Sequence, residues 1–437
     1  MFSYYLKLGW LSIRRNPLLS SLMVAAIAVG IGASMSIITV NYIMSSDPIP
    51  QKSDQLFYVQ VDNWDPNDQD EGGFEPVDQL TYLDATALMK AGKAYRQVAS
   101  NRTGLVLEPQ GEDEMPFSVD TRSTWADFFP MFELPFVYGS GWDDSADQNL
   151  ERVVVLNKEI NERVFGGENS VGRSVRLNGM DFQVVGVLDE YQPVPKFYDV
   201  TNDPFGEVED LFIPFNVAVE YEFPRNGTTN CWKSPDGDGI DAFLNSECVW
   251  IQFWAELRNE TEKQDYMAFL NAYVEQQKEL GRFPRPLNNR LSNVMEWMEN
   301  QEVVQDDAQV MLGLSLLFLV VCLLNTIGLL LAKFMGKATD ISLRRALGAT
   351  RSSLFIQHMI ESGLIGLGGG ILGLGLTWLG LRGIEMLFED IVENLVSLDW
   401  VMVVTAIVLA IVSALLAGLY PTWRACRIAP ASQLKIQ

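Results

Sequence analysis

The stretch KFMGKATDISLRRALGATR, Lys333–Arg351, decides how this chain is arranged. It carries Lys333, Lys337, Arg344, Arg345 and Arg351 against the single acid Asp340. Uncharged runs flank it, Ala308–Ala332 before and Gly363–Leu381 after. Each is long enough to cross roughly 30 Å of hydrocarbon as a helix. A short loop this basic between two spans is retained in the cytoplasm, because positive charge is not readily moved across a bilayer. The loop is therefore expected to be a handle on the inner face.

Two further apolar runs, Leu18–Met44 and Trp400–Trp423, bring the expected spans to four. Within 437 residues this leaves room for one large soluble domain between the first two spans. The net charge of −24 is concentrated there, in Ser45–Gln309, whereas the segments placed inside are basic. Charge thus sorts by membrane side. So acidic an outer domain gives no footing for nucleic acid.

The spans set expected boundaries: 1–17, a cytoplasmic amphipathic helix; 18–44, the first span; 45–309, the periplasmic domain; 310–332, the second span. Then follow 333–353, the basic loop; 354–382, the third span; 383–399, a short outer loop; 400–421, the fourth span; and 422–437, a cytoplasmic tail. Phe2, Tyr5, Leu6, Trp10 and Ile13 recur at helical spacing beside Lys7, Arg14 and Arg15, which fits a helix lying on the membrane surface. The apolar run behind it is too long for a signal-peptide core, so the first helix is expected to stay. Gly363–Gly375 holds seven glycines, and Gly366, Gly368, Gly369, Gly370, Gly373 and Gly375 are expected to let a neighbouring helix approach closely. Glu361, near the inner end of the third span, is expected to pair with a loop arginine.

In the outer domain, LFYVQVDNW, RVVVLN, FQVVGVL and CVWIQFWAEL read as strands. Gln79–Ala94, Lys263–Leu280 and Leu291–Gln305 read as helices, the last running towards the membrane. Asn178-Gly179 marks a hairpin. Short strands and helices without sustained βαβ alternation give an α+β domain, expected to hold two subdomains at this size. Cys231 and Cys248 both fall in it and are candidates for a disulfide in an oxidising compartment, the alternative being two buried thiols. The chain's one histidine, His358, lies on the inner side, so a serine–histidine triad or a histidine metal site outside is excluded. SPDGDG, Ser234–Gly239, reads as a turn, and no Ca²⁺-loop pattern occurs. Four spans hardly enclose a pathway, so at least a dimer is expected.

The residues also carry a resemblance. DISLRRALGATRSSLFIQHMIESGLIGLGGGILGLGLTWLGL, Asp340–Leu381, resembles the cytoplasmic loop and third span of the FtsX-like permease domain, and PTWRACRIAPASQLK resembles that domain's closing motif. VVVLNKEINERVFGGENSVGRSVRLNGMDFQVVGVLDE, Val153–Glu190, is similar to the periplasmic core domain of MacB-type ABC transporter permeases.

The resemblance implies an α+β membrane protein of the bacterial inner membrane, with four transmembrane helices and both termini in the cytoplasm. A mixed α/β periplasmic domain would stand on stalk extensions of the first two helices, one subdomain inserted in the other from about Trp125 to Cys248. It implies a dimer, with an identical or a related second permease, worked by ATP-binding subunits. No G-x-x-x-x-G-K-[ST] motif occurs, so ATP and Mg²⁺ are expected on a partner ATPase and no cofactor on this chain. Asp340, Ile341, Leu343, Arg344, Arg345, Leu347 and Gly348 are the expected coupling residues. Asp340 would cap a short helix running through Leu347, Gly348 would end it, Ile341 and Leu347 would seat in a groove on the ATPase, and the arginines would meet its acidic groups.

The function so implied is efflux or export of a hydrophobic or amphipathic compound or peptide, through a periplasmic adaptor and an outer-membrane channel. A lipoprotein-releasing permease shares the architecture and differs in cargo. A non-transporting transmitter of the FtsX type, or a sensor, is the alternative from another class; the large outer domain weighs against the former.

Overall fold

The computed structural model describes residues 2–68, 75–109, 115–303, 306–387 and 400–427. Most of the expected outer loop, part of the closing motif and part of the acidic loop after Trp64 lie outside these. The chain divides into two compact units, Met1–Ser45 with Val304–Gln437, and Ser46–Val303.

The first unit is helical. An amphipathic helix, Phe2–Arg15, is followed at Pro17 by a second helix, Pro17–Met44. Proline at a first helical position loses no bond, because that N–H has no intrahelical acceptor. The helices Asp306–Gly336, Arg351–Leu387 and Trp400–Cys426 complete four, among the described residues, that are long and apolar enough to cross a membrane. Met23, Ile27 and Ile31 of the first span pack with Leu319 and Leu330 of the second, Ile365 of the third, and Ala406, Ala410 and Ala414 of the fourth. Between helices in lipid the driving force is close packing and hydrogen bonding rather than escape from water. Ser34 accordingly donates to the Ser315 carbonyl across two spans at 3.0 Å.

Four of the glycines expected to pack do so. A Cβ at Gly366 would come within 2.5 Å of the Ala414 Cβ, at Gly369 within 2.6 Å of Ile27, at Gly370 within 2.9 Å of Ala410, and at Gly373 within 2.9 Å of Ile31. Gly368 has only ordinary contact with Val24, at 3.6 Å, and nothing stands within 4 Å of a Cβ at Gly375. Gly366 and Gly370, four residues apart, meet the fourth span, and Gly369 and Gly373, also four apart, meet the first, whereas Gly375 falls on another face.

The second unit is a mixed sheet with helices. Its strands are β1 Leu56–Gln60, β2 Leu80–Thr81, β3 Arg96–Glu108, β4 Phe117–Thr124, β5 Phe136–Gly139, β6 Val153–Leu156, β7 Ser174–Leu177, β8 Met180–Leu188, β9 Leu211–Pro214, β10 Asn230–Cys231, β11 Cys248–Glu256 and β12 Arg290–Asn293. They run in the order β12-β1-β11-β3-β4-β9-β6-β8-β5, with β2 and β10 on β11 and β7 on β3 and β8. Two pairings, β4–β9 and β6–β8, are parallel. Asn178 and Gly179, both at positive φ, turn β7 into β8.

The long strand β3 serves both halves of this sheet: Arg96–Ser100 pairs with β11, and Asn101–Leu107 pairs with β4. The far half therefore begins upstream of Trp125. Leu291–Gln305 is not one helix. Arg290–Asn293 is a strand paired with β1, and Val294–Asn300 is a helix started by a reciprocal capping box between Asn293 and Glu296. The N-x-x-E spacing carries that start signal. Cys231 and Cys248 form a disulfide that ties β10 to β11, worth about 3 kcal/mol for a loop of this size.

A buried charge cluster holds the two halves of the sheet together. Arg122 on β4 is fully buried, with Nη2 2.5 Å from both Asp199 Oδ2 and Glu209 Oε1. Lys196 Nζ lies 3.6 Å from Glu209 and 3.9 Å from Asp199. Tyr198 donates to Glu209 at 3.1 Å, and Gln252 on β11 donates to Asp199 at 2.9 Å. Two buried cations thus face two carboxylates, with the part-exposed Arg102 3.8 Å from Asp199 at the edge of the site. Burial works against ionised Glu209, but Arg122 and Lys196 outweigh it and hold its carboxyl well below the usual range. Asp199 is left raised by burial, against the pull of Arg122 and with repulsion from Glu209.

Candidate functional site

The basic loop folds as a short helix, Ala338–Ala346, between the second and third spans. Its end follows from Gly348, which takes φ +100°. The Gly348 N–H donates to the Arg345 carbonyl at 3.1 Å and the Ala349 N–H to the Arg344 carbonyl at 3.0 Å. These bonds satisfy carbonyls that have no partner within the helix, a role that favours glycine in the left-handed region.

One face of this helix is sealed against the bundle. Ala338, Ile341 and Ser342 are buried, and Ile341 joins the cluster formed by Phe334, Leu354, Ala425 and Cys426. The opposite face is open, with Leu343 53% and Leu347 80% exposed. Asp340 and Arg344 are also exposed, Arg345 is half-buried, and Arg344 donates to Gln357 at 3.1 Å. Ile341 therefore does not stand out to seat in a partner's groove, as expected from the sequence; it anchors the helix. Asp340 makes no side-chain cap and acts only as a negative charge in the first turn.

Beneath the helix lies a polar hub that the sequence did not reveal. Glu361 on the third span is completely buried. Its Oε1 is 2.7 Å from Lys333 Nζ at the end of the second span and 3.7 Å from Lys337 Nζ, one residue before the short helix. Ser12 of the amphipathic helix donates to the same oxygen and accepts from Lys337. Lys333 also donates to Ser20 of the first span at 2.9 Å, and His358 Nδ1 stands 3.5 Å from Glu361 Oε2.

Gly9 permits this convergence, since a Cβ there would already be 3.1 Å from Leu364 and 3.6 Å from the Glu361 backbone. Tyr5 and Ser353 add a hydroxyl pair at 3.1 Å. Glu361 thus pairs with lysines rather than with a loop arginine. The arginines sit beyond Ile341, whereas Lys333 is on the helix facing Glu361. His358 and Glu361 at i, i+3, and Lys333 and Lys337 at i, i+4, share faces; that spacing is the signal available in the sequence. A buried ion pair is costly unless each partner is satisfied, and here one carboxylate gathers the amphipathic helix, the first three spans and the root of the short helix. The helix with the exposed leucine face is thus tied to several others by packed and hydrogen-bonded contacts.

Comparisons with known proteins agree with this architecture. Residues 20–262 match the MacB-like periplasmic core domain, and residues 312–430 match the FtsX-like permease C-terminal domain. The macrolide export ATP-binding/permease protein MacB of Wolinella succinogenes is 22% identical over 369 residues, covering 83% of this chain and 50% of that protein. The pyoverdine export ATP-binding/permease protein PvdT of Pseudomonas aeruginosa is 23% identical over 313 residues, covering 71% of this chain and 41% of that protein. An uncharacterized ABC transporter permease of Bacillus subtilis, YvrN, is 23% identical, covering 71% of this chain and 68% of that one.

The chain spans about half the length of the first curated relatives it matches. Among solved structures, the periplasmic region of MacB from Actinobacillus actinomycetemcomitans aligns at a TM-score of 0.36 and 13% identity, over 58% of this chain and 95% of that one. With more than half of the chain matched by the core-domain family and its last three spans by the permease family, the chain belongs to the family of MacB-like ABC transporter permeases.

Proposed function

We propose that this chain is the permease subunit of an ABC exporter, engaged by a separate ATPase at the helix Ala338–Ala346. The observation that carries the proposal is the two-faced character of that helix: Ile341 and Lys337 fix it to the bundle, while Leu343 and Leu347 stand open beside Arg344. Exposed leucines next to a cation suit a groove with apolar walls and acidic edges. A second copy of the chain, or a related permease, would complete the pathway. Nucleotide closure does work only if the contacts at this helix differ between two states.

Export of a hydrophobic or amphipathic compound is the activity proposed, in line with the macrolide and pyoverdine exporters named among the relatives. Under the same proposal the basic loop faces the cytoplasm and the large domain faces outward, where an adaptor would engage it. Leu347→Asp, co-expressed with the ATPase, is expected to reduce its co-purification at least tenfold while the permease keeps its melting temperature. Leu347 is 80% exposed, so the substitution disturbs little of the fold. Undiminished co-purification and undiminished permease-dependent ATPase stimulation would refute the assignment.

A further inference from the structure

A cavity of about 280 Å³ opens between the amphipathic helix, the short basic helix and the start of the third span. Arg15, Lys337 and Arg344 line it, and Asp340 is the carboxylate among its described lining residues. With Lys333 and Glu361 just behind, four cations face two carboxylates. Leu8 and Leu11 form an apolar wall. His358, also on the wall, is 4% exposed, and its Nδ1 has no hydrogen bond, although Glu361 Oε2 is 3.5 Å away.

We infer that this cavity holds the phosphodiester headgroup of an anionic phospholipid. Excess positive charge in a recess beside membrane helices matches such a headgroup. The volume lies near the lower end of the roughly 300–1,000 Å³ usual for small-molecule sites, which suits a headgroup better than a cargo molecule. The recess also stands where the chain turns, through Asn16 and Pro17, from the amphipathic helix into the first span. That helix exposes Trp10 at 62% and Tyr4 at 61% beside basic residues, as a helix lying in the headgroup layer does. A free phosphate would fill only the cationic part and leave the leucine wall uncovered. A lipid bound here stabilises the contact between the amphipathic helix and the short helix, so leaflet composition would tune coupling. The inference uses the proposed orientation only to say which leaflet supplies the lipid.

The test is lipid retention by the purified full chain, measured by native mass spectrometry after delipidation and re-addition of phosphatidylglycerol or phosphatidylcholine. We expect one phosphatidylglycerol per chain, at least tenfold preferred over phosphatidylcholine. Arg15→Gln is expected to weaken it about fivefold. Leu8→Trp, which fills the recess, should abolish it. Arg14→Gln, a neighbouring exposed charge outside the lining, should leave it unchanged, and thermal melting should verify that all three variants are folded. Equal retention of both lipids, equal loss in Arg14→Gln and Arg15→Gln, or full competition by glycerol 3-phosphate would overturn the proposal. So would displacement of the lipid when the ATPase binds, which would assign the recess to a protein segment. No ATPase is needed to read retention, so failure here leaves the coupling proposal standing, and the converse also holds.

Discussion

Glu361→Gln is expected to destabilise the detergent-solubilised protein by about 3–5 kcal/mol, the usual consequence of removing one member of a buried ion pair. Lys333 is fully buried and 2.7 Å from the carboxylate, so the glutamine leaves an ammonium in a dry site with neutral acceptors, its own Oε1 and Ser20 Oγ, but no counter-charge there. Lys337 retains 20% side-chain exposure and can turn towards water, so the larger share of the loss falls on Lys333. The pair Lys333→Met with Glu361→Met is expected to recover most of the stability, because two apolar side chains restore packing without stranding a charge. Thermal unfolding of the parent, Lys333→Met, Glu361→Met and the double variant in one detergent gives the double-mutant cycle. Additive losses would show that the carboxylate and the lysine do not act as a unit.

The second large effect is expected at Arg122→Met in the unit Ser46–Val303. Asp199 and Glu209 would keep Lys196, at 3.9 and 3.6 Å, as their buried cation, with the part-exposed Arg102 at 3.8 Å from Asp199 alone. The loss is again about 3–5 kcal/mol, on the order of 10 °C in melting temperature for a domain of this size. Gln252 on β11 also bonds Asp199, so the loosening should reach the seam between the two halves of the sheet. Hydrogen exchange should rise in β4 and β9 and also in β11. Adding Asp199→Asn to the variant, which leaves Lys196 paired with Glu209 at 3.6 Å, should restore part of the loss. A melting temperature within about 2 °C of the parent would mean that water reaches the cluster and the charges are not dry.

Much of the architecture could be read from the chain. Length and lack of charge marked four spans, and the basic loop marked the place of the short helix. Gly348 marked its end, because a glycine after a run of helix formers commonly takes the left-handed turn that stops one. The strands at Val153–Leu156 and Met180–Leu188 were legible through β-branched content and Asn178-Gly179.

What failed to show involves contacts distant in sequence. Ser12 and Glu361 are 349 positions apart, and nothing local to either announces the other. Ile341 looked like a surface anchor because an apolar residue in a polar stretch fits either face of a helix; only the docking of that helix against Phe334 and Leu354 decides which. The strand at Arg290–Asn293 was hidden for a similar reason, since a segment of four residues takes its conformation from the edge it pairs with, here β1. Gly375 shows the same limit: glycine density signals close packing, but the face each residue takes is fixed by the neighbouring helix.

The central claim is that the helix Ala338–Ala346 is rooted by one face and gripped by the other. A photo-reactive amino acid placed singly at Leu347 or at Ile341, with the ATPase co-expressed in intact cells, tests it most directly. Cross-linking to the ATPase is expected from position 347, with an efficiency that changes between nucleotide-free and ATP-trapped states, and little is expected from the buried position 341. Cross-links from 341 and none from 347, or labelling of 347 by a reagent confined to the outside of the cell, would contradict it.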